Sequence, residues 1–269
     1  MPIHTSGALN KPEVSMLYGG DVKLEFSPSG HHYKVFHKNQ EIYGTKGVTT
    51  VIGILDKPQL VQWSANMTND YWLEHLKPGA DELAIKTIAK KAHLVWRDKR
   101  DSAGDVGTLI HEWIEQHILF QMGKGEKPTI PINDTILQGT IKFLQWAQEN
   151  VSKFVDTEKK VYSLKHNVAG TCDFIYINKQ GEMCIGDIKT SKSIYDSFAL
   201  QLAAYRYMLE EERKYTAPNS SEIYKHMTIV RVGKEDGEIE AKEIGEYGKH
   251  AVSFLACVVL HKNMKPEKR

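Results

Sequence analysis

Three side chains in the segment AGTCDFIYINKQGEMCIGDIKTS, namely Asp173, Asp187 and Lys189, have the types and spacing of a carboxylate–lysine site. Asp187 and Lys189 are two residues apart in an expected β-strand, so both side chains leave the same face of a sheet. Asp173 lies on the preceding strand, and the turn signal NKQGE joins the two as a hairpin. Counting back from that turn brings Asp173 into the neighbourhood of Asp187. Two converging carboxylates suit a hard divalent cation such as Mg²⁺, which prefers oxygen ligands. A cation held there can polarise a phosphodiester, activate a water and stabilise the leaving oxygen. Lys189 adds a positive charge close to the charge that develops on phosphate. On its own, Asp-x-Lys at a strand edge equally describes a solvated ion pair. Its setting argues for more: Ile185 and Ile188 imply a strand with one buried face, and Gly186 lets another group approach the backbone closely.

Further upstream, GTLIHEWIEQHI places Gly107, Thr108 and His111 at the start of an amphipathic helix. A neutral His111 imidazole has the chemistry of a metal ligand, although a lone helical histidine also reads as structural. His111 and Glu115 are one helical turn apart, as are Gln201 and Tyr205 on a later helix. Gln201 and Tyr205 fit either a substrate-facing pair or a polar pair at the boundary of a core helix. His31, His32 and His37 read as a solvated hairpin. The basic run containing Lys86, Lys90, Lys91, Arg97, Lys99 and Arg100 is diluted by Asp81, Glu82, Asp98 and Asp101, so a strand-binding channel and a solvated helix face are both open. Trp63, Trp72 and Trp96 have the spacing of core residues and the rings to stack on unpaired bases.

The elements that must position these residues follow from periodicity. The first 20 residues, rich in Gly, Ser and Pro, read as a loose arm. Alternating runs between Val22 and Tyr43 predict small β-hairpins. GVTTVIGIL fits a strand, or a turn into a helix capped by Thr49 or Thr50. Helices are expected over 59–76, with Pro58 in the first turn and Leu60, Trp63, Met67 and Trp72 as apolar positions, then over 81–99 and 106–122, and from an Asn133 or Asp134 cap to 150. The period then changes to three strands over 158–163, 168–177 and 183–189. A helix over 194–214, strands near 223–232 and 238–244, and a helix near 247–262 complete the chain. This order gives an α/β fold, a mixed central sheet flanked by helices. Residues 21–100 form an N-terminal hairpin and helical elaboration, and residues 101–269 form the core.

Bulk properties narrow the classes. With 269 residues, 41% hydrophobic and 26% charged, the chain reads as a globular protein able to bury a real core. No stretch approaches the roughly 18 apolar residues of a membrane span. The opening MPIHTSGALNKPEVSM has neither a signal core nor a transit pattern, so an intracellular, cytoplasmic protein is expected. A net charge of +1 means that any nucleic-acid contact must use local basic patches. Cys172, Cys184 and Cys257 lack metal-binding spacing, which leaves reduced, buried thiols and excludes a four-cysteine iron–sulfur cluster within the chain. No phosphate-loop motif is present, so no nucleotide cofactor is expected.

Taken together the motifs resemble the RecB-like branch of the PD-(D/E)XK nuclease superfamily. The matching elements are GTxxH (Gly107 to His111), a strand glutamate (Glu158), GTxD (Gly170 to Asp173), Asp-x-Lys-Thr (Asp187 to Thr190) and QxxxY (Gln201 to Tyr205), in that order. VTTVIGILDKPQLVQW and the C-terminal RVGKEDGEIEAKEI with FLACVVLH also look like segments of phage exonucleases and of the mitochondrial genome maintenance exonuclease. The resemblance implies a PD-(D/E)XK core and a Mg²⁺- or Mn²⁺-dependent exonuclease acting on single-stranded DNA. Its implied setting is replication, repair or recombination, with proteins of those processes as partners. It further implies that His111, Asp173, Asp187 and the Ile188 carbonyl are metal ligands, with Lys189 the catalytic lysine. Glu158 becomes an auxiliary catalytic acid, and Gln201, Tyr205 and Thr190 support the site or the substrate.

Overall fold

The strict alternation of apolar residues in VKLEF and YKVF builds a four-stranded antiparallel sheet at the N-terminal end. Its strands are β1 (Glu13–Leu17), β2 (Val22–Ser27), β3 (His32–His37) and β4 (Gln40–Ile42), paired in that order. Val22, Leu24, Phe26 and Val35 are buried beneath it with Tyr18, Tyr162 and Ala169. The β3–β4 turn, Lys38–Asn39, has positive φ at both residues, as a tight hairpin requires. The computed structural model describes residues 12–264 except Asp56, Ser221, Glu222 and Glu235, and only the backbone of Asp101, Ser102, Ala103 and Asp105. The arm expected over 1–20 therefore lies partly outside the described residues. Within them it is corrected: β1 pairs along its length with β2, because Leu17 and Tyr18 are buried in this core.

GVTTVIGIL resolves into a short strand, β5 (Lys46–Gly47), and a short helix, α1 (Val48–Ile52). Gly47 is the cap residue and gives no side-chain bond, so Thr49 and Thr50 lie inside the helix rather than capping it. Next come α2 (Pro58–His75), α3 (Glu82–Ala92) and α4 (Val95–Gln121). Pro58 does occupy the first turn of α2, and Asp81 caps α3 by accepting from the Ala84 N–H at 2.8 Å. No residue of α2 is buried; Leu60 is exposed, and Trp63, Met67 and Trp72 are half-buried. The helix break expected near residue 100 falls at His93–Leu94 instead. α4 runs through Gly104 and Gly107, where tertiary packing overrides low helix propensity. The boundary expected between residues 100 and 101 thus cuts through one continuous helix.

The core sheet is mixed. After α5 (Asp134–Asn150), capped by Asn133 accepting from the Ile136 N–H at 3.1 Å, come β6 (Val151–Ser163), β7 (Val168–Asn178) and β8 (Met183–Lys189). β6 begins seven residues earlier than its alternation indicated, because register irregularities near Val151 and Phe154 disguise the period. The chain then crosses over through α6 (Asp196–Thr216) to β9 (His226–Val232), turns into β10 (Ile239–Glu243) and ends in α7 (Tyr247–Asn263). The order is β10-β9-β8-β7-β5, with β6 also on β7; β8–β9 and β5–β7 are parallel. One face packs on α1, α6 and α7 through Ile185, Leu202, Met208, Ile229 and Phe254. The other packs on α4 and α5 through Ile110, Ile114, Phe143, Phe174 and Ile188. Residues Cys184 to Ile188 are all buried, so β8 is covered on both faces rather than the one expected. The three cysteines are free and buried. No described helix is long and apolar enough to cross a membrane.

Candidate active site

β7 and β8 begin as a pair at Ile177↔Met183 and separate after Phe174↔Gly186. From there β8 stays with β9, through Asp187↔Ile229, Ile188↔Val230 and Lys189↔Arg231. The Asp173 carboxylate fills the place of the lost ladder bond: its Oδ2 accepts the Ile188 N–H at 2.7 Å. The opened strands leave Asp173 and Asp187 on the two sides of a fork. Gly186 sits at its apex because a Cβ there would lie 2.0 Å from Phe174 Cζ. The close approach expected at Gly186 is therefore made by a core ring.

Asp187 is fully buried, and Lys189 Nζ stands 2.5 Å from its Oδ2. That charged contact is the partner of Oδ2, and Oδ1 has no hydrogen-bond partner among the described residues. Burial raises the Asp187 pKa above the usual carboxylate range, with Asp173 adding to the rise and Lys189 opposing it. Asp173 is raised as well, again by burial against the pull of Lys189 and of the Ile188 N–H. For Lys189 burial works against the charge, but Asp187 and Asp173 outweigh it and hold its pKa above the ordinary value. The ammonium also lies 5.1 Å from the centre of the Phe198 ring.

α4 brings His111 to the fork, with Nδ1 3.9 Å from Asp173 Oδ2. Burial, then Lys189 and Lys234, push its pKa down to about 4, so at neutral pH the ring is uncharged and keeps a lone pair for donation. Glu158 lies across β6–β7 from Asp173, between the pairs Thr157↔Phe174 and Lys159↔Cys172. Its φ of 49° is left-handed, a strained state for a glutamate inside a strand. Burial and then Asp173 raise its pKa to about 8, against Lys160. From α6, Gln201 Nε2 donates to the Tyr205 hydroxyl at 2.6 Å, and Tyr205 is buried. Gly170 makes room for that ring, since a Cβ there would lie 2.6 Å from Tyr205 Cε1. Thr190 reaches α4, where a Cβ on Gly107 would lie 2.5 Å from its Oγ1.

His111, Glu158, Asp173, Asp187, Ile188 and Lys189 thus gather at one fork, with Tyr205 and Thr190 packed close by. Sequence reading missed Lys160, which is nearly buried, bonds Glu13 Oε2 at 2.9 Å and stands 3.7 Å from Glu158 Oε2. Its period-2 relation to Glu158 was a usable signal; the approach of Glu13, from the other sheet, was not. Lys234 was missed as well.

Among the described residues no group of three or more His, Cys, Asp or Glu side chains is gathered closely enough to hold a metal ion. His111, Asp173 and Asp187 share the fork without closing into one coordination shell. The donor set nevertheless fits a divalent cation. Two buried carboxylates keep raised pKa values although Lys189 stands beside them, so one ammonium does not offset their burial and a divalent cation would supply the missing positive charge.

No curated protein matches the chain. A solved structure titled "Crystal structure of SSO0001" aligns at 17% identity over 48% of this chain and 59% of that chain. Its TM-score of 0.28 carries no argument about fold. Residues 132–255, which hold Glu158, Asp173, Asp187, Lys189, Gln201 and Tyr205, match the family model of the PD-(D/E)XK nuclease superfamily, and that match suggests a nuclease.

Proposed function

We propose that this chain is a divalent-metal-dependent DNA exonuclease of the RecB-like type, acting on single-stranded ends. The observation that carries the reading is the fork: a fully buried Asp187 carboxylate beside Asp173, His111 and the Lys189 ammonium. A divalent cation held by Asp173, Asp187, the Ile188 carbonyl and His111 would supply Lewis-acid charge at a phosphodiester. Lys189 places its ammonium where charge grows on the phosphate, already positioned by Asp187 and the Phe198 ring. Asp173 keeps the fork open by holding the Ile188 N–H. Glu158, with its raised pKa, is an auxiliary acid able to hold a proton near neutral pH. Gln201 and Tyr205 brace the α6 side, and Thr190 anchors the end of β8 against α4.

The preference for unpaired strands is supported by the half-buried Trp63, Trp72 and Trp96 on the helices before the core, whose ring faces suit base stacking. The end requirement rests on the likeness of the flanking segments to single-strand exonucleases. Linear and circular single-stranded DNA of one sequence, incubated with Mn²⁺, separate the readings. Degradation of the linear form alone is expected. Digestion of the circle at the same rate makes the protein an endonuclease, and binding without cleavage of either makes it a binder.

His111 gives a sharper test of the ligand set. An imidazole ligand favours Mn²⁺ over Mg²⁺, because nitrogen binds transition metals better than it binds hard Mg²⁺. His111→Ala is expected to slow cleavage by on the order of 100-fold and to remove most of the Mn²⁺ advantage. Metal titrations of cleavage rate in both proteins check this. A variant with the wild-type rate and metal profile takes His111 out of the ligand set.

A further inference from the structure

We propose that Lys234 is a substrate-binding residue, its ammonium taking a DNA phosphate oxygen at the rim of the fork. The inference rests on the nuclease reading and adds a contact to it. Lys234 lies in the turn between β9 and β10, and no role was read for it from the sequence. A Cβ on Gly107 would lie 3.0 Å from Lys234 Cε and 3.2 Å from its Nζ, as well as 2.5 Å from Thr190 Oγ1. The absent side chain of Gly107 therefore seats both the lysine and the threonine on α4, one helical turn before His111. This explains why a glycine interrupts a helix that continues through it.

Hydrogen bonds tie together the two ends of the turn that carries Lys234. The Gly233 N–H donates to the Glu238 carbonyl at 2.8 Å, and the Gly237 N–H donates to the Gly233 carbonyl at 2.9 Å. Its floor is α5, since a Cβ on Gly237 would lie 2.9 Å from the Gly139 nitrogen, and Lys142 pairs with Glu238. Asp236, which is exposed, accepts the Glu238 N–H at 2.9 Å. Lys234 itself has no hydrogen-bond or ion-pair partner among the described residues, though it is half-buried and its charge is close enough to depress His111. A half-buried ammonium without a counterion among the described residues is a site for an anion. Across the fork the balance is acidic, with Glu158, Glu115 and Glu13 sharing Lys160. A phosphodiester at the carboxylates thus finds its positive partners on the Lys189 and Lys234 side.

The test uses the full chain and a labelled single-stranded oligonucleotide in Ca²⁺, with filter binding across a salt series for wild type, Lys234→Gln and Lys234→Arg. Lys234→Gln is expected to raise Kd by about 5- to 10-fold and to flatten the slope of log affinity against log salt by about 0.7. Lys234→Arg should restore both, while thermal unfolding and calorimetric Ca²⁺ binding stay as in wild type. A wild-type Kd and salt slope in Lys234→Gln overturn the inference and leave the nuclease reading standing. Wild type that neither binds nor cleaves DNA removes that reading, and this contact with it.

Discussion

Replacing Asp187 with asparagine is expected to cut DNA cleavage by about 1,000-fold while leaving the unfolding temperature unchanged or raised. The side chain keeps its volume but loses the charge that the fork needs. Stability does not suffer because burial outweighs the Lys189 ion pair and raises the carboxylate's pKa to about 6, so its charge is a cost to the fold. Asp173 remains as a counter-charge for Lys189. Lys189→Met should lose activity to a similar degree, but with the opposite effect on stability. It leaves two buried carboxylates without their cation, a change that typically costs about 3 kcal/mol. Cleavage assays and thermal melts on the two variants together check this. Wild-type cleavage in either, or a sharp loss of stability in Asp187→Asn, contradicts the assignment.

The second large effect concerns the apex of the fork. A Cβ on Gly186 would meet three ring atoms of Phe174, at 2.0, 2.2 and 2.6 Å. That ring cannot step aside: it is fully buried and meets Phe143, Trp146, Phe154 and Tyr176. Gly186→Ala is therefore expected to cost about 3 kcal/mol, which lowers the melting temperature by roughly 6–12 °C in a chain of this size. Phe174→Leu in the same background should recover part of the loss by vacating the space. A melting temperature within a degree of wild type for Gly186→Ala would show that the ring does not set the apex.

Asp187 and Lys189 were legible because a strand's period of two fixes their shared face whatever surrounds it, and the NKQGE turn sets the distance back to Asp173. The opening between the strands was not legible. It depends on a side chain replacing a ladder bond, when Asp173 takes the Ile188 N–H, and alternation is the same in a closed hairpin. The start of α4 was misjudged for a related reason. Nothing local in the sequence signalled that one helix continues through Gly104 and Gly107, because Gly107 is demanded by Thr190 and Lys234, which are far away in sequence. Glu13 entered the acidic side of the site through β1, a segment whose Gly, Ser and Pro content pointed to a loose arm. The apolar spacing of α2 was read correctly as helical, but spacing alone does not say whether a helix finds a core to bury against.

The central claim is that the β7–β8 fork hydrolyses DNA phosphodiesters with a divalent cation. The most direct test incubates the full chain with end-labelled single-stranded DNA in Mn²⁺, in Mg²⁺ and in EDTA, and resolves the products by length. Cleavage in Mn²⁺ and Mg²⁺ that EDTA abolishes and restored Mn²⁺ revives is the predicted result. Cleavage that persists in EDTA, or no cleavage with either metal, would contradict the account.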